Sequence, residues 1–191
     1  MSIRQGTRIA FTGAGGTGKT TSAKVIAETY ELPMPQSASR TVYEANNLTE
    51  ELVLKMNDEE KLTLQTAIFD QKVRNDTQYS YVTDRTTLDH YAYCLAYCGA
   101  FMPDDTFRRY EEKTRVAMLS TYSHIFYLPW GYWDAPDDGV RSSVDAWQSQ
   151  IDAIISGYID RWNLPVYRVP QEYGEDHRND YILEIISIGI G

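Results

Sequence analysis

At 191 residues, with two cysteines and 24% charged residues, the chain has the size and balance of one globular domain that folds without disulfides or a structural metal. A formal net charge of −9 argues against a general polynucleotide binder, because phosphate polymers repel such a chain unless its positive groups gather on one face. No stretch has the roughly 18 unbroken apolar residues of a membrane span and residues 1–6 hold no apolar signal core, so the expectation is a soluble protein without membrane partners, in a reducing cytoplasm or in the host's if the chain is viral.

In chain order, residues 7–12 form a short β-prone run that ends in a glycine-rich segment. From Gly18 to about Tyr30, Ala23, Val25, Ile26 and Ala27 recur at helical spacing, with Pro33 just beyond. Residues 36–47 are polar and read as strand end and loop. Asn57-Asp58 caps a helix to about Thr77, with Leu62, Leu64, Ala67, Ile68, Gln71 and Val73 as an imperfect apolar stripe and Lys72 and Arg74 on a solvated face. Residues 79–83 read as a strand broken by Asp84-Arg85.

Helical patterns follow over 87–99 and 104–121, the second bearing Arg108, Arg109, Lys113 and Arg115 on a solvated face. His90, Cys94 and Cys98 share a stripe at one-turn spacing. Three such residues without an evident fourth fall short of a structural zinc site, so reduced thiols packed on a helix face are expected. Residues 123–128 form a strand ended by Pro129. The tract 130–143, rich in Trp, Tyr, Gly, Pro and Asp, reads as a long loop or lid. Ser142-x-x-Asp145 has capping-box spacing before a helix through Val144, Trp147, Ile151, Ile154, Ile155, Tyr158 and Trp162. A last strand is expected over 165–169 and a terminal helix over 180–188.

Strands alternating with helices require crossover connections. The expected fold is therefore α/β: a three-layer sandwich with a mainly parallel sheet, as a single domain over 1–191 with a lid at about 130–143. Ligands in such sheets sit at the carboxyl ends of the strands, where Gly13, Asp84 and Trp130 fall.

Gly13-Ala14-Gly15-Gly16-Thr17-Gly18-Lys19-Thr20 fits G-x-x-x-x-G-K-[ST] at every position, between a strand and a helix. Glycines let the backbone turn its N–H groups around phosphate oxygens, and the following helix adds its positive pole. Lys19 is expected to reach the outer phosphates of ATP and Thr20 to bind Mg²⁺, with Thr21 counted in the same phosphate site. The strand at 123–128 has no carboxylate at its tip, so the acidic group is sought at Asp84. Asp84 can hold a magnesium-bound water or accept the acceptor's proton, or serve only as a helix cap; Arg85 can grip phosphate, steer the acceptor or lie on the surface. In the lid, Arg141 can close over the transferring group or pair with Asp137 or Asp138, and Trp130, Tyr132 and Trp133 can stack on a base or staple the lid to the body.

Across nearly its whole length the sequence resembles the nicotinamide riboside kinase domain of bacterial NadR and its standalone P-loop relatives, AAA-type ATPase/kinase chains. The likeness rests on residues 13–20, Ser39-Arg40 to Glu44, Asp84 followed by Thr86-Thr87 and Ala92-Tyr93-Cys94, and Asp137-Asp138-Gly139-Val140-Arg141-Ser142. It implies a fold of the P-loop NTPase, nucleoside-kinase-like type, that Arg40 and Glu44 face the acceptor, that Asp84 is catalytic or metal-associated, and that Arg141 lies in the lid. Unlike in NadR, no nucleotidyltransferase domain is expected within these 191 residues. The standalone relatives include phage enzymes that phosphorylate 5-hydroxymethyluridine in DNA, so modified DNA stands beside free nucleosides and nucleotides as an acceptor class. The leading expectation is an ATP- and Mg²⁺-dependent kinase. The alternatives are an NTP-hydrolysing switch acting on a protein partner, for which neither N-K-x-D nor a strand ending in Asp-Glu is present, and a binding module without catalysis.

Overall fold

The computed structural model describes residues 5–131 and 145–188; Tyr132, Trp133, Arg141 and Ser142, from the tract read as a lid, lie outside the described residues. The chain runs β1 (Arg8–Thr12), α1 (Lys19–Tyr30), α2 (Ala38–Ala45), α3 (Glu50–Leu54), α4 (Asp58–Asn75), β2 (Tyr81–Thr83), α5 (Thr87–Cys98), α6 (Asp104–Ser120), β3 (His124–Tyr127), α7 (Asp145–Arg161), β4 (Tyr167–Arg168), a 3-10 turn (Gln171–Tyr173) and α8 (Gly174–Ile188). The strands form one parallel sheet in the order β2-β1-β3-β4, with Ile9 beside both Val82 and His124, and Phe126 beside Tyr167.

Side chains alternate across a strand, and this alternation builds the three layers. Ile9, Phe11, Phe126 and Leu128 pack with Ala23 and Ile26 of α1 and Ile182 and Ile186 of α8. Ile125 and Tyr127 turn the other way, onto Leu88 and Tyr91 of α5 and Ile151 and Ile155 of α7. The rings of Phe11 and Phe126 stack at 5.6 Å across the central strand pair. The α/β sandwich expected from the alternation is the observed architecture, and no helix among the described residues is long and apolar enough to cross a membrane.

Four local expectations need correction. Residues 36–47 are not strand end and loop but contain α2, whose Ala38 and Val42, one turn apart, pack on Leu64 and Ile68 of α4. Two apolar positions suffice for a surface helix of this length, and its polar remainder hid the period. The buried stripe of α4 runs through Leu64, Gln65, Ile68, Phe69 and Lys72, so Lys72 is interior while Val73 is 43% exposed. The last helix begins at Gly174 rather than at 180, and the strand expected over 79–83 begins at Tyr81. Cys94 and Cys98 are free and buried, and burial pushes the Cys94 thiol up to about 12, away from the reactive thiolate.

The start of α4 is set by a reciprocal capping box. The Glu60 N–H donates to Asn57 Oδ1 at 2.9 Å, and the Asn57 N–H donates to Glu60 Oε2 at 2.8 Å. Asn57→Ala is expected to cost about 1 kcal/mol, read as a lower urea midpoint at unchanged slope.

Candidate active site

The phosphate loop leaves the tip of β1 and ends at the first turn of α1. Two glycines are fixed by its course. Gly13 has φ 143°, and a Cβ there would overlap the Leu128 carbonyl oxygen at the end of β3; Gly18 has φ 83°, and a Cβ there would overlap the Arg178 guanidinium of α8. The Gly13 N–H donates to Asp89 Oδ1 at 3.0 Å, and the Gly15 N–H donates to Gln148 Oε1 at 2.7 Å. Lys19 Nζ donates to the Ala14 carbonyl oxygen and to Thr17 Oγ1.

Residues 15–21 line a small cavity of about 100 Å³ together with Asp84 and Arg85. Beside it lies a cleft of about 320 Å³, lined among others by Met34, Gln36, Arg40, Lys72, Asn75 and His90. The two cavities share Thr20, Asp84 and Arg85. Thr20 Oγ1 donates to Asp84 Oδ2 at 2.6 Å, and Asp84 Oδ1 is buried with no hydrogen-bond partner among the described residues. The Arg85 guanidinium lies 4.8 Å from the centre of the Tyr93 ring, which braces it from α5.

The AAA_28 family model, described as an AAA domain, matches residues 8–177. The chain belongs to this AAA-domain family. No curated protein matches the sequence. Among solved structures, deoxyadenosine kinase from M. mycoides with bound dATP is similar at TM-score 0.64 and 12% identity, over 95% of this chain and 99% of that one. NadR protein in complex with NR is similar at TM-score 0.68 and 18% identity over 97% of this chain, which spans 52% of the NadR chain. Thymidylate kinase from Candida albicans is similar at TM-score 0.63 and 16% identity, covering 96% and 92%. At these identities the likeness establishes a shared fold.

In this AAA-domain chain the end of β2 is secured by a buried network. Lys72 Nζ donates to Asp76 Oδ1 at 2.7 Å and to Thr83 Oγ1 at 2.8 Å; the Tyr122 hydroxyl donates to Asp76 Oδ2 at 2.6 Å and accepts from the Thr87 N–H at 3.2 Å. Burial lowers the Lys72 ammonium from its usual range, against the opposing pull of Asp76. His90, buried on the cleft wall, is held well below the usual imidazole range, first by burial and then by the positive charges of Arg85 and Lys72.

The structure places residues 15–21, Asp84 and Arg85 together, and sets Arg40 on the cleft wall from the exposed side of α2. Glu44 does not line the cleft: it is exposed, one turn further along, and accepts from Gln36 Nε2 at 3.1 Å. Trp130 is half-buried against the α5–α7 side of the core and lines neither cavity, while Trp133 and Arg141 lie outside the described residues. Four site residues escaped the sequence reading: Asp89, Gln148, Lys72 and His90. Only Asp89 carried a local signal, the Thr86-x-x-Asp89 spacing of a capping box.

Asp89 accepts from Gly13 N–H, from Thr86 N–H at 2.7 Å and from the Thr86 hydroxyl at 2.7 Å. Asp89→Ala would strand two buried backbone donors and is expected to cost about 3 kcal/mol in urea denaturation. His90 predicts a pH dependence. The unfolded chain binds a proton at His90 below about pH 6.5 that the folded chain refuses until its own lower pKa. The stability due to His90 is thus complete above that pH and is lost as pH falls towards the folded pKa, at up to about 1.4 kcal/mol per pH unit. Comparing His90→Gln with the parent chain by urea denaturation between about pH 7 and pH 5.5 isolates this slope, which the variant should lack.

Proposed function

We propose that the chain is an ATP- and magnesium-dependent kinase that transfers the terminal phosphoryl group to a hydroxyl of a nucleoside- or nucleotide-like acceptor. The observation that carries this reading is the shared wall: the phosphate cavity and the larger cleft meet at Thr20, Asp84 and Arg85. A hydrolytic switch needs no second cleft opening onto the terminal phosphate. At about 320 Å³ the cleft falls in the size range of small-molecule sites, and Gln36, Arg40 and Asn75 offer it hydrogen-bond donors.

In this mechanism the loop amides and the N-terminus of α1 hold the triphosphate, and Lys19 moves from the Ala14 carbonyl to the outer phosphates. Thr20 and Asp84 are hard oxygen donors that would hold Mg²⁺, and the buried, unbonded Asp84 Oδ1 fits that use. When bound, the ion offsets charge on the phosphates. The acceptor oxygen forms its bond to the γ-phosphorus as the bond to the β,γ-bridging oxygen breaks, and ADP leaves. Asp84 takes the hydroxyl proton and passes it to solvent, while Arg85 holds the phosphoryl oxygens. Arg40 orients the acceptor in the same proposal, with Arg141 offsetting charge on the transferring group and Trp133 binding the acceptor.

For a base hydroxyl carried on DNA, the nucleotide would have to be turned out of the stack to enter the cleft. The deciding experiment is transfer of label from [γ-³²P]ATP to a panel of nucleosides, nucleoside monophosphates, nicotinamide riboside and hydroxymethylated DNA. Label should appear on one acceptor class, with steep salt sensitivity if that class is DNA. Lys19→Ala should abolish transfer, and Asp84→Asn should lower kcat by about 100-fold or more. Free ATP hydrolysis with no labelled acceptor anywhere in the panel would sink the kinase reading.

A further inference from the structure

We propose that His90 reads the acceptor: its imidazole exchanges a hydrogen bond with the polar edge of an uncharged heterocyclic base bound in the cleft beside the phosphate loop. The inference rests on the kinase reading of that cleft and adds to it a residue that selects among acceptors. His90 lies in the first turn of α5, is buried, and lines the cleft but not the phosphate cavity. It is therefore placed to meet the acceptor rather than the triphosphate.

Among the described residues, three buried polar side chains line this cleft: Lys72, Thr83 and His90. Two of them are engaged inside the protein. Lys72 Nζ donates to Asp76 and to Thr83, and the Thr83 hydroxyl donates to the Arg85 carbonyl oxygen. His90 differs. Neither of its ring nitrogens has a hydrogen-bond partner among the described residues, and neither is sealed from solvent, so they open onto the cleft that the ring lines. Native interiors seldom leave a buried polar group unbonded. An acceptor that enters the cleft displaces solvent from the ring and binds well only if it supplies that hydrogen bond itself.

The charges around the ring define what it meets. Arg85 and Lys72 both act on His90, and Lys24 and Arg40 line the same cleft, against a single lining carboxylate, Asp84. A cationic ring is repelled there, whereas a neutral base with a carbonyl oxygen or a ring N–H is not. Burial and the same two cations keep the imidazole uncharged at neutral pH, so it offers one N–H donor and one bare nitrogen acceptor. The neighbouring Asp89 accepts from the Gly13 N–H and the Thr86 N–H, which fixes this turn of α5 before a ligand arrives.

The sequence has three histidines, His90, His124 and His177, so the ring nitrogens of His90 can be followed by NMR after nitrogen-15 labelling of histidine, with His90→Gln assigning its signals. The full chain at pH 8, in the presence of β,γ-imido ATP, is titrated with the four common deoxynucleosides, their 5′-monophosphates and 5-hydroxymethyldeoxyuridine. Nicotinamide riboside, whose pyridinium ring is positive, is the cationic arm. At least one neutral base should move the His90 signals while His124 and His177 stay in place. Movement by no neutral base, or by nicotinamide riboside alone, would overturn the proposal. His90→Phe, which keeps a flat ring and removes both nitrogens, should raise KM for the responding acceptor about tenfold or more and leave KM for ATP within about twofold. An unchanged acceptor KM, or equal rises for both substrates, would reduce His90 to a structural role; if that variant does not fold, the spectra of the parent chain decide. His90 signals that move in a chain transferring no label would uphold the contact and reject the kinase. Label transfer with His90 unmoved by its acceptor would do the reverse.

Discussion

The carboxylate of Asp89 is where the tip of β1, the entry to α5 and the phosphate loop are joined. It is fully buried, and such a charge is tolerated in the interior only where hydrogen bonds replace its lost water. The Gly13 N–H, the Thr86 N–H and the Thr86 hydroxyl supply them. Because these donors lie 76 and three residues from Asp89 along the chain, satisfying the carboxylate requires the first turn of α5 to lie beside the first turn of the loop. Asp84 and Arg85, just before Thr86, are thereby brought opposite Thr20. The backbone ladder from Arg8–Tyr81 to Ala10–Thr83 enforces the same spacing, so two independent sets of bonds fix one juxtaposition.

β2 is only three residues long, too short for its ladder alone to hold the aspartate at its end. The Lys72–Asp76–Tyr122 network takes over, with Lys72 reaching Thr83 and the Thr83 hydroxyl donating to the Arg85 carbonyl at 3.0 Å. This ties the Asp84 side of the site to α4, whose start is set far away by Asn57 and Glu60. The capping box at one end of α4 and the buried lysine at the other thus act on the same element, which connects helix stability to the geometry around Asp84.

What the sequence made legible was what depends on local spacing. The loop at Gly13–Thr20 follows from glycines at fixed intervals, the layer order from alternation of apolar periods, and Asp84 from its place at a strand end. What stayed hidden depends on partners distant in the chain. Lys72 looks like any charged residue on a surface helix, and only Asp76, Thr83 and Tyr122 around it reveal that it is interior. Gln148 meets Gly15 across 133 residues, and a glutamine in an amphipathic helix announces nothing. α2 was missed because its buried face is two residues, Ala38 and Val42. Asp89 is the intermediate case, since its capping role was readable from Thr86 but its bond to Gly13 was not.

Net charge gives a poor guide to this site because electrostatic attraction acts locally. The chain is acidic at −9, yet Lys19, Lys24, Arg40, Lys72 and Arg85 all line one or other of the two joined cavities. A small anionic ligand senses mainly those nearby cations, since exposed charges more than about 8 Å away are screened at physiological salt. A long phosphate polymer would extend past them and meet the acidic remainder. The charge distribution therefore favours a compact phosphorylated ligand over an extended one. The phosphate loop, the shared wall at Asp84 and Arg85, and the cations around both cavities thus act on the same few ångströms of space.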